Sequence, residues 1–135
     1  MLSYYAVKLL SRIACLLPHG VAMRIGAGLA WLLWPLVPAR RKRLACAQAA
    51  RCLHVSAQEA ARIARESTLR FGPMLMEVLR FPVMRPHMGD FVTITGAADE
   101  VRAAIADGKG AIFATSHSGN WELMGGAFAC AGFPL

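Results

Sequence analysis

At 135 residues the chain has the length of one domain, which excludes a multidomain protein within it. It is 56% hydrophobic with a mean hydropathy of +0.44, greasier than an ordinary soluble domain. A chain this short buries only about two-thirds of its unfolded surface, so some apolar area must meet a membrane, a partner or a further part of the protein.

The net charge of +7 is unevenly spread. Lys8, Arg12, Arg24, Arg40, Arg41, Lys42, Arg43 and Arg51 all precede Glu59, the first acidic residue, whereas the chain from Val55 onward holds seven basic and eight acidic residues. A basic surface suits nucleic acid and anionic lipid alike. These cations flank apolar segments and no reading helix is recognisable, so membrane lipid is the expected partner and nucleic acid is not. Cys15, Cys46, Cys52 and Cys130 form no CxxC pair and no Cys/His metal spacing. That pattern suits a reducing, cytoplasm-facing protein; nothing in it asks for a disulfide, a metal or a cofactor.

Residues Tyr4 to Leu17 have helical character, and Pro18-His19-Gly20 breaks the pattern. From Ile25 to Ala39 runs an uncharged stretch, closed by Arg40-Arg41-Lys42-Arg43. It is shorter than the roughly 20 residues needed to cross a bilayer. Trp31 and Trp34 suit the interfacial zone, and the basic cluster suits the cytoplasmic side and anionic headgroups. A tilted anchor and a hairpin dipping into one leaflet both fit; a buried core helix is the soluble alternative. A cleaved signal peptide fits poorly, since no small-residue cleavage site follows promptly.

Arg43 to Leu53 reads as a short helix. Ser56-Ala57-Gln58-Glu59 has the capping-box form, starting a helix that runs to about Arg80, with Gly72-Pro73 expected to kink or split it. Phe91 to Thr95 is rich in β-branched residues and predicts a strand. Ala97 to Ala106 predicts a helix, and Ala111 to Thr115 a second strand covered on both faces. Trp121 to Ala131 reads as a final helix. The expected fold class is therefore α/β: membrane-associated helices over residues 1–43, then, over 44–135, the first strand-helix-strand-helix unit with a right-handed crossover. Two strands do not make a stable α/β sheet, and the chain ends where a further strand is expected, so it reads as truncated.

The segment Ser116-His117-Ser118-Gly119-Asn120-Trp121-Glu122 carries the chemistry. In open α/β sheets ligands collect beyond the carboxyl ends of strands, where His117 is expected, with Glu122 in the first turn of the following helix. Gly119 permits the turn, Asn120 is a good N-cap, and the helix N-terminus favours an anionic Glu122. A carboxylate near an imidazole orients it and stabilises its protonated form, as a general base requires. Backbone N–H groups at the same helix start suit an oxyanion. The spacing alone is a weak signal, because His54 and Glu59 repeat it. In that copy Glu59 is explained by the capping box and no strand leads into His54, so it is rejected. A buried, satisfied histidine is the bland alternative for His117.

The block Thr115 to Leu123 closely resembles the His-x4-Asp/Glu block of the late acyltransferases of lipid A biosynthesis, a lysophospholipid-acyltransferase-like group that also includes the acyltransferases of phosphatidylinositol mannosides. Asp107-Gly108-Lys109-Gly110 and Gly132-Phe133-Pro134 are also similar to that group. Where the family often has Asn-Leu after its basic cluster, this chain has Cys46-Ala47-Gln48-Ala49-Ala50. The resemblance implies that His117 is the general base and Glu122 its charge partner, with Ser116, Gly119, Asn120 and Trp121 shaping the substrate site. It implies an acyl-carrier-protein or coenzyme A thioester as donor, a glycolipid hydroxyl as acceptor, and a location at the bacterial inner membrane with the active site facing the cytoplasm. The competing reading is a catalytically incomplete fragment that binds membrane or a partner. Elsewhere His19 and His87 read as loop surface residues, and Met74, Met76, Met84 and Met88 as gap fillers or acyl-chain contacts. Lys109 reads as a solvated turn residue, with contact to a carrier protein as its alternative.

Overall fold

The computed structural model describes residues 1–96, 98–108, 110 and 112–133. Among the described residues seven α-helices follow one another: α1 (Leu2–Leu16), α2 (His19–Leu33), α3 (Ala39–Leu53), α4 (Ala57–Leu79), α5 (Phe81–Met84), α6 (Ala98–Ala106) and α7 (Trp121–Cys130), with 3-10 turns at Trp34–Leu36 and Arg85–Asp90. The breaks follow proline chemistry. Leu17 and Val37 are extended because each precedes a proline, which disfavours the helical region for the residue before it. Pro18 and Pro38 then stand at the starts of α2 and α3. His54, in the left-handed conformation at φ 54°, ends α3. The Ser56 side chain accepts from the Glu59 N–H at 3.2 Å, so the expected cap of α4 is present. Helix α4 continues through Pro73 as one element instead of splitting there.

Helix α4 is the centre of the packing, lying against α1, α2 and α3. Its contact with α2 is made by backbone: a Cβ on Gly26 would stand 2.6 Å from the Gly72 carbonyl oxygen. Ala22, Ala60 and Ala64 are buried in the same set of small residues. Small side chains let two helices approach closely and gain dispersion contacts along their backbones. The larger apolar side chains of α1 and α2 face outward instead, among them Tyr4, Leu9, Leu10, Leu29, Trp31 and Leu32. A second cluster, Met84, Met88, Leu123 and Ala127 with Phe81 and Val92 against it, joins α5 and the second 3-10 turn to α7.

Arg80 sits at the end of α4 and is only 6% exposed. One of its guanidinium nitrogens, Nη1, donates to the Ala14 carbonyl at 2.6 Å and to the Leu17 carbonyl. Ser11 Oγ donates to the Leu79 carbonyl at 2.6 Å. The Ala14 carbonyl also accepts from the Leu17 N–H at 3.3 Å, and a cation at this end of α1 meets the negative end of the helix dipole. The sequence assigned Arg80 no such role.

The α/β expectation is corrected by the structure: among the described residues there is no strand. Residues 92–95 and 112–116 lie outside regular structure and do not pair. Both run along α7 instead. Val92 packs against the Leu123–Ala127 cluster, and the Phe113 ring lies 5.2 Å from that of Phe128. A parallel pair alone would leave both faces uncovered and its outer edges unbonded. Residues 112–119 are all exposed, Ile112 fully, so water can satisfy their backbone groups. Ala97, Lys109, Ala111 and Pro134, which figure in the sequence expectations, lie outside the described residues. No single described helix is long and apolar enough to cross a membrane; the pair His19–Leu36 and Ala39–Leu53, bent by 106°, reaches that length and apolarity only together.

Two substitutions test this packing by thermal or denaturant unfolding in mild detergent. Gly72→Leu forces a side chain into the α2 backbone and is expected to cost about 3 kcal/mol or more. Arg80→Met removes a charged donor from the Ala14 and Leu17 carbonyls at the end of α1 and is expected to cost about 2 kcal/mol. Unchanged unfolding midpoints would remove both contacts from the account of stability.

Candidate active site

The segment leading into α7 places every residue singled out from the sequence between Ser116 and Glu122. Gly119 adopts φ 65°, a left-handed conformation that side-chain-bearing residues rarely take, and it turns the chain into the helix. Asn120 is the N-cap: its Oδ1 accepts from the Leu123 N–H at 3.1 Å. The backbone N–H groups of Trp121 and Glu122 have no helical acceptor, as in the first turn of any helix.

Trp121 lies between the two groups proposed for catalysis. Its ring meets the His117 imidazole edge to face at 4.8 Å between centroids, and its indole N–H donates to Glu122 Oε1 at 3.2 Å. Phe71 on α4 meets the other flank of the indole at 6.2 Å. No hydrogen bond or ion pair joins His117 to Glu122 among the described residues. The carboxylate is held by the indole N–H, and the imidazole meets the indole edge to face. His117 and Glu122 are both exposed, as is Ser116, whose carbonyl accepts from Thr115 Oγ1 at 3.3 Å.

Beside this segment is an open cleft of about 260 Å³ lined by Val78, Phe81, Leu123, Gly126 and the Glu122 side chain. Gly126 makes room for the Phe81 ring: a Cβ there would lie 3.2 Å from Phe81 Cδ2 and nearer still to other ring atoms. Apart from Glu122, the cleft is thus lined by apolar residues and glycine.

Glu77 was not picked out from the sequence. Asn120 Nδ2 donates to Glu77 Oε2 at 2.7 Å and to the Met74 carbonyl at 3.3 Å. One asparagine therefore caps α7 through its oxygen and fastens it to α4 through its nitrogen. The available signal was a lone carboxylate within the otherwise apolar stretch Phe71 to Leu79. Buried polar groups require partners, and a single acid in such a run asks for a donor.

The lipid-facing candidates form a second group, at the junction of α2 and α3. Arg40, Arg41 and Arg43 are exposed, as is Trp31, while Trp34 and Lys42 are half-buried. Lys42 Nζ stands 4.6 Å from the centroid of the Trp34 ring. Of the lesser candidates, the His19 ring packs against Phe91 at 5.5 Å. His54 shapes the end of α3, and Glu59 is engaged by Arg62 at 2.5 and 3.0 Å. Among the described residues no three His, Cys, Asp or Glu side chains are grouped to hold a metal ion.

Residues 1–132 match the family described as bacterial lipid A biosynthesis acyltransferase. Among curated proteins, the phosphatidylinositol mannoside acyltransferase of Mycobacterium tuberculosis (strain CDC 1551 / Oshkosh) is 39% identical over 57 residues, covering 41% of this chain. That match spans 18% of the relative's own length. No solved structure matches the chain.

The Asn120–Glu77 fastening is testable without an activity. Glu77→Leu leaves Asn120 Nδ2 only the Met74 carbonyl and is expected to raise hydrogen exchange at the Leu123 amide about tenfold, a cost of about 1.4 kcal/mol in local opening. Glu77→Gln keeps an acceptor and is expected to restore most of the protection. Equal exchange in all three proteins would show that the contact does not hold α7.

Proposed function

Because this chain belongs to the bacterial lipid A biosynthesis acyltransferase family, we propose that it carries the catalytic block of an enzyme moving a fatty acyl chain from a carrier thioester to a hydroxyl of a glycolipid at the cytoplasmic face of the inner membrane. The observation that carries this reading is the family match over residues 1–132, which includes the whole segment from Ser116 to Glu122. The acceptor oxygen attacks the thioester carbonyl while His117 takes its proton; the tetrahedral oxyanion collapses, expelling a thiolate that receives the same proton from His117. Glu122 stabilises the positive charge that His117 carries in between, through the space bridged by the Trp121 ring. The N–H groups of Trp121 and Glu122 suit the oxyanion. The apolar cleft beside Glu122 fits the start of an acyl chain, and Ser116, Gly119 and Asn120 shape the approach to it. The donor is an acyl-acyl carrier protein or acyl-CoA.

The membrane-facing part of the reading rests on α1 and α2, whose outward apolar side chains are exposed among the described residues. Residues 1–43 form the anchor and 44–135 carry the catalytic block, with the basic cluster facing anionic headgroups. A second reading, a lipid-binding module without catalysis, is favoured by one observation: His117 and Glu122 are exposed and not directly bonded to each other.

Expression of the full-length protein is expected to add acyl mass to a glycolipid, and His117→Ala to lower the transfer rate by about 10²–10⁴-fold. Lipid mass spectra identical with and without the protein would sink the catalytic reading. Lipid binding that persists in His117→Ala and falls when Arg40, Arg41, Lys42 and Arg43 are neutralised, with no acyl transfer by the unaltered protein, would establish the second.

A further inference from the structure

We propose that the elbow between α2 and α3 seats the phosphate of one anionic phospholipid in a defined cavity, so that the basic cluster is a stoichiometric headgroup site and not a diffuse patch. The inference rests on the membrane-bound reading above and adds to it a particular pocket and ligand. That pocket is an open cavity of about 250 Å³ bounded by Trp34, Val37, Arg41, Lys42, Ala64 and Thr68.

The four cations of the cluster are not equivalent. Lys42 is half-buried and fixed: its ammonium donates to the Pro35 carbonyl at 3.4 Å and rests on the Trp34 ring. An ammonium has three donors, so two remain for a ligand. Arg41 lines the same cavity and has no carboxylate partner among the described residues. The acids of the facing helix closest in sequence, Glu59 and Glu66, are both taken by Arg62. Two cations beside one cavity that no carboxylate lines suit a phosphate, which a guanidinium and an ammonium both bind strongly. Arg40 and Arg43 do not line this cavity.

The apolar surroundings choose the lipid over free phosphate. Leu33 and Leu36 flank Trp34 and are 53% and 75% exposed, with Trp31 and Leu32 exposed one step earlier. The 106° bend sets α3 across the direction of α2. With the apolar end of α2 entering the bilayer, α3 lies along its surface and the cavity falls at headgroup depth. A ligand bound there has hydrocarbon on one side and cations on the other, which is the polarity of a phospholipid.

The test is co-flotation of the full chain with phosphatidylcholine vesicles, with and without phosphatidylglycerol. Removing any two interfacial cations lowers affinity for the anionic vesicles about 30-fold, so Arg40→Gln with Arg43→Gln supplies the reference. Arg41→Gln with Lys42→Gln is expected to lose a further tenfold or more. Trp34→Leu, which leaves the charge unaltered, is expected to lose several-fold more than Trp31→Leu. Equal losses in the two double variants would overturn the pocket while leaving membrane binding intact. Failure of the unaltered chain to float with either vesicle would overturn both readings. Displacement from anionic vesicles by inorganic phosphate, at concentrations where equal ionic strength of chloride has no effect, would reassign the cavity to free phosphate.

Discussion

The packing of α2 on α4 turns on the backbone contact between Gly26 and Gly72. Where two helices meet through glycine, the space between them cannot also hold leucines or tryptophans. The outward placement of the large apolar residues of α2 is therefore tied to the tightness of its inner face. In a water-soluble helix pair the large side chains would be inside and the apolar stripe hidden. Here the stripe that meets α4 is built from Ala22, Gly26 and Ala30, and the greasy surface is displayed.

The last turns of α4, through its cap Arg80, also carry several further long-range attachments. Gly72 meets α2, Met74 and Glu77 hold Asn120 at the start of α7, Leu79 accepts from Ser11, and Arg80 grips the end of α1. From Gly72 to Arg80 the helix rises about 12 Å. Within that distance the candidate active segment and the apolar helices share one rigid support. Pro73 lies inside it and is accommodated without breaking the helix.

Much of the helical order was legible in the sequence, because it depends on local chemistry. Pro18 and the Ser56 cap mark boundaries that any chain must respect, and Asn120 was readable as an N-cap for the same reason; α3 starts at Ala39, after Pro38, and not at Arg43, where the sequence predicts it. The extended segments were misread because β-branched composition speaks only of what a residue tolerates. Whether Val92 or Phe113 joins a strand depends on a ladder partner, and here α7 takes their side chains without one. The site was legible in its residue types but not in its connections. His117 and Glu122 can be read from spacing, whereas the indole standing between them depends on ring geometry. Glu77, 43 residues from Asn120, is a relation only the fold creates.

The hold of Arg80 on α1 also has a history in time. It joins residues 66 apart, and a chain made at about 5–20 residues per second needs roughly 3 to 13 seconds to cover that interval. Throughout that delay the first helix has emerged, or is emerging, with its carboxyl end uncapped and its apolar face bare. Its earliest companions are whatever the ribosome exit region offers. The clamp thus closes over a helix that emerged well before it, and the fastening of Asn120 to Glu77 follows later still.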